Sequence, residues 1–293
     1  MKPYSKGVLF IGISVLLYSI MPVLIRLLGR GHIPPMSQVF LRYCVACAAA
    51  CIYFFATKSK FSVARKDMPL LFLVALFGYA LVNLFYTYAN LNTQIGTVLF
   101  IFNCSTVLGP LLGYFFLKEK LQSSIIIAMV IGFISLFFLF SPGPFATWKI
   151  GAVFALVSAV GSSFYVIGRK KLGRYDSKLI LLVNTIVGVL VLGVLSYMFE
   201  GNFYSGAIYT VSATTWITTV LFGLDNFLAY LFMTKGFQLV TAGTGSMVML
   251  TENFIGVLFA FLFFAEIPTM TSLVGGLLIL AASLLVLVKS EKV

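Results

Sequence analysis

Charge is scarce in this sequence. Twenty basic and eight acidic residues make up 10% of the 293 positions, against about 25% in a water-soluble domain. Apolar residues reach 61%, against roughly 45–50%. One aqueous core cannot hide that much apolar surface, so a soluble globular protein is excluded and a bilayer is the natural solvent. Histidine is almost absent: the single His32 lies in a loop. That excludes histidine-based acid–base chemistry within the membrane. H-E-x-x-H, G-x-S-x-G, a P-loop and any Cys/His cluster are missing too, which removes the metalloprotease, hydrolase and nucleotidase classes. An ATP-driven pump would need a partner chain. No cofactor and no metal is called for. Cysteine is limited to Cys44, Cys47, Cys51 and Cys104. The first three share one helix face, but no second pair accompanies them, so they read as unpaired thiols.

What the chain does have is long apolar runs. A helix rises 1.5 Å per residue, so about 20 apolar residues cross a core of roughly 30 Å. Spans are expected near 7–28, 36–57, 69–90, 94–117, 121–140, 150–170, 178–199, 213–235, 242–264 and 270–288. Lys2 and Lys6 before the first run look like the start of a signal peptide. The run is long enough to span, however, and lacks a small-residue cleavage site, so it reads as a retained first helix. With the N-terminus in the cytoplasm, 16 of the 20 basic residues fall on the inner side. Only Arg26, Arg30 and Lys149 lie outside, with Arg42 in the outer part of the second span. Lys/Arg excess marks cytoplasmic loops, so both termini are expected there, in the cytoplasmic membrane. The net charge of +12 is then a topology signal with some attraction to anionic headgroups, and nucleic acid is not an expected partner.

The two halves resemble each other. Gly7, Phe10, Ser14, Ser19, Leu28, Gly29 and Arg30 match Gly151, Phe154, Ser158, Ser163, Leu172, Gly173 and Arg174 at an offset of 144, with Arg26 facing Lys170. Phe77-Gly78 echoes Phe222-Gly223. Gly96-Thr97 echoes Gly243-Thr244 and Glu119 echoes Glu266, both at an offset of 147. A unit of five spans is odd, so the second copy enters from the opposite side. The expected architecture is an all-α membrane protein of ten transmembrane helices in two inverted five-helix repeats, residues 1–145 and 146–293. Inverted repeats are common in secondary transporters, which place their sites at the midplane between the copies.

Particular runs carry a family resemblance. Phe40-Leu41-Arg42-Tyr43…Ala46 is similar to an arginine motif in the second helix of the EamA branch of the drug/metabolite transporter superfamily. Ala89-Asn90-Leu91…Pro110-Leu111…Phe116-Leu117-Lys118-Glu119-Lys120-Leu121 resembles its signature over the third and fourth helices. Leu250-Thr251-Glu252…Phe264-Ala265-Glu266 resembles the matching ninth-helix signature, with Asn253 where the family often has proline. The resemblance covers nearly the whole chain. It implies a secondary transporter, often an exporter of amino acids or related metabolites.

Polar groups expected at mid-depth mark the candidate site. A charged acid at the bilayer centre costs on the order of 2.5–3.5 kcal/mol by insertion scales. Asp225 and Glu252 each fall about halfway along their spans, while Arg26, Arg42 and Arg169 lie nearer helix ends. Each acid is therefore a carboxyl protonated in some states, a partner for a bound cation, or a group in a wet cavity; both are candidates for proton coupling. Tyr79, Asn83, Tyr86 and Asn90 form one helical stripe. Asn103 sits at mid-depth in the fourth span, and Asn226 and Asn253 adjoin the acids. Tyr18 and Tyr165 would complete the wall from the first and sixth spans. The expected substrate-binding set is thus Tyr18, Tyr79, Asn83, Tyr86, Asn103, Tyr165, Asp225, Asn226, Glu252 and Asn253. For each amide the competing reading is interhelical hydrogen bonding, and for each tyrosine packing. Arg42, Gly96, Glu119, Gly243 and Glu266 are expected in gating or structural roles. Glu119 closes a helix where an acid opposes the dipole, so it requires a partner. The expected function is proton-linked export of a small polar or amphipathic metabolite, amino-acid- or amine-like, by alternating access. The alternatives are a facilitator or exchanger that imports, a membrane receptor or scaffold, and an intramembrane enzyme built on Asp225 and Glu252.

Overall fold

The computed structural model describes residues 2–93, 95–139, 150–265, 267 and 270–290. Among them the chain is helical: α1 Pro3–Arg30, α2 Pro35–Ala56, α3 Met68–Ala75, α4 Leu81–Asn92, α5 Ile95–Leu117, α6 Ser123–Leu139, α7 Ile150–Lys171, α8 Ser177–Ser205, α9 Ala213–Leu239, α10 Ala242–Met249, α11 Glu252–Phe264 and α12 Met270–Ser290. A single π-helical stretch, Leu76–Ala80, joins α3 to α4 into one bent rod. Among the described residues seven helical segments are long and apolar enough to cross a membrane, counting α3–α4 and α10–α11 as one each. Apolar side chains cover the surface as well as filling the core, and several polar groups are buried among them. Ile126, Ile127, Val130, Phe133 and Phe137 of α6 are exposed, as are Ile217, Leu221, Leu224 and Leu228 of α9, whereas Arg42, Asn83, Asn226 and Glu252 are buried. That is the distribution lipid selects, since apolar groups lose nothing by facing acyl chains.

Several helices outrun the expected spans because interfacial residues extend them. Pro3 starts α1 at a position where its missing N–H costs nothing. Asp176 caps α8 by accepting from Lys178 N at 3.0 Å. Glu200 accepts from Met36 N at 2.9 Å and Ser37 N at 2.7 Å, so a carboxylate of α8 caps α2.

Packing repeats across the two halves. α1 packs on α9 as α7 packs on α4, α5 packs on α7 as α10 and α11 pack on α1, α2 packs on α8, and α6 on α12. Exchanging α1–α6 with α7–α12 in chain order, with α3–α4 and α10–α11 each taken as one rod, maps every one of these pairs onto another or onto itself. Helix ends repeat as well: Lys118 after α5 and Ala265 after α11 both have left-handed backbone, φ 56° and 54°, and they are 147 positions apart. Hydrogen bonds locate the pseudo-two-fold axis. Asn83 Nδ2 donates to Tyr230 Oη at 2.8 Å, and Tyr79 Oη donates to Asn226 Oδ1 at 3.1 Å. Each pair is separated by 147 residues. Residues related by a two-fold can touch only on the axis, so it passes between α4 and α9.

Candidate functional site

Beside that axis lies a cavity. Tyr18 and Met21 of α1, Asn83 and Tyr86 of α4, Tyr165 of α7, Tyr230 and Met233 of α9, and Met249 and Glu252 of the α10–α11 rod line it, among others. Its far wall is an aromatic cluster. The ring centroids of Tyr79 and Tyr230 are 4.1 Å apart, those of Tyr18 and Tyr230 5.4 Å, and those of Tyr165 and Tyr230 5.5 Å. Close helix approach makes this possible. A Cβ on Gly78 would stand 2.9 Å from Tyr165 Cα, so only glycine lets α7 come that near the π-helical stretch.

The backbone is irregular on both sides of the cavity. The π-helical stretch carries Gly78 and Tyr79, and such bulges favour functional sites. The second irregularity is a break. α10 ends at Met249 and α11 begins at Glu252, with Thr251 N and Asn253 N bonding three residues back, to Val248 O and Leu250 O. The segment has no proline; Thr251 Oγ1 donates to Val248 O at 2.7 Å and Asn253 Nδ2 to Leu250 O at 3.0 Å. Side chains thus add a second hydrogen bond at each of these carbonyls. Glu252 consequently stands in the first turn of α11, where the helix dipole favours a negative charge. It is 5% exposed, faces the cavity, and is within electrostatic reach of the Tyr18 and Tyr86 hydroxyls. Among the described residues no basic side chain offsets its burial.

Asp225 is placed differently. It is half-buried, does not line the cavity, and leaves Oδ2 without a hydrogen-bond partner. Depth along the helix is common to both acids, but the helical phase of Asp225 turns it away. Arg42, expected nearer a helix end and in a gating or structural role, is a cation whose field reaches it. Its long side chain makes up the difference. Arg42 is completely buried. Its Nη2 donates to Asn83 Oδ1 at 3.0 Å, its guanidinium lies 4.4 Å from the Phe222 ring centroid, and Nε and Nη1 have no partner.

Asn103 and Asn253 meet each other, Nδ2 to Oδ1 at 2.7 Å. Tyr79 and Asn226 form the axial bond behind the cavity. Tyr18, Asn83, Tyr86, Tyr165 and Glu252 of the expected set share the cavity itself. Tyr230, Met21, Met233 and Met249 were missed. Tyr230 was recoverable, because the 147 offset carries Asn83 onto it.

At one end of the bundle Glu119 finds its partner in a different helix. It caps α10, accepting from Ala242 N at 2.9 and 3.2 Å, and faces Lys170 Nζ at 3.6 Å. Lys170 also donates to Val240 O at 2.8 Å and Phe237 O at 3.3 Å. This latch ties α5 to α7 and to the link between α9 and α10. Gly243 is the second residue of α10, and a Cβ there would stand 3.1 Å from Ile125 Cδ1. Gly96 is likewise the second residue of α5. Glu266 lies outside the described residues.

The EamA-like transporter family model matches residues 5–141 and again 149–288. The chain belongs to the EamA-like transporter family. Its two copies coincide with the two halves related by the axis, and the protein is a multi-pass membrane transporter. An "uncharacterized transporter" of Clostridium kluyveri is 23% identical, over 96% of this chain and 93% of the relative. The "pseudopaline exporter CntI" of Pseudomonas aeruginosa is 21% identical, over 95% and 94%. A solved crystal structure superimposes with a TM-score of 0.78 at 16% identity, covering 95% of this chain and 96% of its own. That likeness shows the shared fold.

Proposed function

We propose that the chain is a ten-span secondary active transporter of the cytoplasmic membrane, with two inverted five-helix repeats at about residues 1–145 and 146–293 and both termini in the cytoplasm. It exports a small amino-acid- or amine-like metabolite by alternating access, with Glu252 as the proton-coupling carboxyl. The observation that carries this reading is a carboxyl group with no basic partner among the described residues, on a broken helix, in a cavity beside the axis between two repeats. Burying a charge without a partner is costly. The cavity therefore favours Glu252 either neutral or neutralised by a bound cation, which makes proton and cationic substrate competitors for one site. Competition of that kind couples an inward proton to an outward amine. The latch of Lys170 and Glu119 would then close the cytoplasmic end. Rocking of the halves about the axis would open it and close the opposite end, the usual consequence of inverted repeats. The name of the Pseudomonas relative supports the outward direction.

Proteoliposomes of purified protein test the reading. A pH gradient should drive accumulation of a substrate found by thermal-shift screening of amino acids, amines and nucleosides. Glu252→Gln should abolish gradient-driven flux while leaving the protein monodisperse. Unchanged flux across pH 5–8 in that variant would remove Glu252 from coupling, and flux indifferent to every ion gradient would favour a facilitator.

A further inference from the structure

We infer that three lysines at one end of the bundle form a seat for the phosphate headgroup of an anionic phospholipid, with Lys235 at its centre and Lys6 and Lys178 on either side. The inference goes beyond the transport reading and stands without it. Four helices build the seat. α9 packs against α1 and against α2, and α2 packs against α8. Lys6 of α1 and Lys235 of α9 both lie over the Phe10 ring, 5.7 and 6.0 Å from its centroid. Lys235 and Lys178 of α8 both lie over the Tyr53 ring, at 5.3 and 5.7 Å. Lys235 Nζ also donates to Tyr53 Oη at 3.0 Å. Phe232 backs Phe10 and Phe227 backs Tyr53, with ring centroids 5.7 and 6.0 Å apart. Lys235 thus joins two rings, and each ring holds two ammonium groups.

A ring face offers an ammonium group a partial negative charge, but it does not cancel the repulsion among three like charges. Among the described residues one carboxylate approaches them: Asp176 Oδ2, 3.8 Å from Lys178 Nζ. No carboxylate among those residues pairs with Lys6 or Lys235, so the arrangement calls for an anion. Depth decides which anion. Lys6, Tyr53, Lys178 and Lys235 all lie within about one turn of a helix end, the level of lipid headgroups. The neighbouring outward faces are apolar, with Leu9 of α1, Ile52 and Phe55 of α2 and Leu228 of α9 exposed. An acyl chain can lie against them while its phosphate meets the lysines, whereas a free phosphate gains nothing from them. Basic pockets between helices recognise anionic headgroups in this way. Topology alone asks only for lysines near this end, and Lys58 and Lys60 supply them from the exposed stretch after α2. It does not require three lysines ordered on two rings.

The test uses the full-length protein, delipidated in detergent, and native mass spectrometry with added phosphatidylglycerol, phosphatidylethanolamine or inorganic phosphate. Phosphatidylglycerol should bind at least tenfold more tightly than phosphatidylethanolamine, and an equal concentration of inorganic phosphate should not displace it. Lys6→Gln and Lys178→Gln should each weaken phosphatidylglycerol about fivefold, the share of one lysine near a headgroup, and Lys235→Gln by at least as much. Lys235→Arg keeps the charge and should stay within about twofold of the parent. Lys58→Gln and Lys60→Gln should each change affinity by less than about twofold. Equal losses at Lys58 and Lys60 would show diffuse attraction and overturn the seat. Equal affinity for the two lipids would overturn it too, as would displacement by equimolar phosphate, which marks a site for a free anion. Should Lys235→Gln fail to fold, Lys6→Gln and Lys178→Gln carry the same comparison. None of these measurements needs a transported solute, so this inference and the transport reading fail separately.

Discussion

Glu119→Gln should loosen the end of the bundle that Lys170 and Glu119 close. The carboxylate holds Ala242 N through both oxygens, at 2.9 and 3.2 Å, and Lys170 Nζ at 3.6 Å. A hydrogen bond to a charged group contributes about 1.5–3 kcal/mol, and a neutral one about 1. Glutamine keeps an acceptor for Ala242 N, so roughly 1 kcal/mol of charge assistance is lost there. Each side chain of the pair is 21% exposed, so the ion pair adds no more than about 0.5–1 kcal/mol. The sum, about 1.5–2 kcal/mol, amounts to a tenfold to thirtyfold shift toward the unlatched form. Ser246 is 3% exposed and lines the cavity, which makes Ser246→Cys a reporter of opening. With the four native cysteines replaced by serine, an impermeant maleimide applied from the side on which Glu119 and Lys170 lie should label Cys at 246 about ten times faster in Glu119→Gln. Lys170→Met removes the contacts to Val240 O and Phe237 O and should do the same. A change of less than twofold in both variants would refute the latch, provided near-parental melting temperatures show both to be folded.

Other consequences follow from the packing. Tyr79→Phe deletes the axial bond to Asn226, whose Nδ2 is already unpartnered. It should cost about 1–3 kcal/mol, read as a lower midpoint in detergent unfolding, and no loss of stability would show that the axis is held by packing alone. Gly78→Ala forces a Cβ to within 2.9 Å of Tyr165 Cα and should destabilise by about 1–3 kcal/mol. Gly12→Ala meets nothing within 4 Å and should stabilise by about 0.5–1 kcal/mol; equal effects at the two sites in thermal denaturation would contradict the close approach of α7. Asp225→Asn lies off the cavity and should leave substrate affinity within about twofold by calorimetry, whereas Glu252→Gln should change it by tenfold or more.

Helices and repeat were legible in the sequence for physical reasons. A bilayer demands uninterrupted apolar runs, and close helix crossings demand glycine, so Gly7 and Gly151 recur where α1 meets Gly236 and α7 meets Ala89 O. The break before Glu252 was not legible, since neither proline nor glycine marks it; Thr251 and Asn253 bond locally to the backbone there, which either residue also does inside intact helices. Nor could depth along a helix separate Glu252 from Asp225, because both acids are at mid-depth and only rotation about the axis of α9 turns Asp225 aside. Tyr230 shows a more general limit. A search for internal repeats rewards identity, but residues on a pseudo-two-fold axis meet their own counterparts. There Asn83 opposes Tyr230 and Tyr79 opposes Asn226, an amide against a phenol each time. At this axis the polar centre stands where the copies have diverged, although an identical pair can bond as well, as Asn103 and Asn253 do. The positions most informative about binding are those where the repeat, read as a pattern of matches, falls silent.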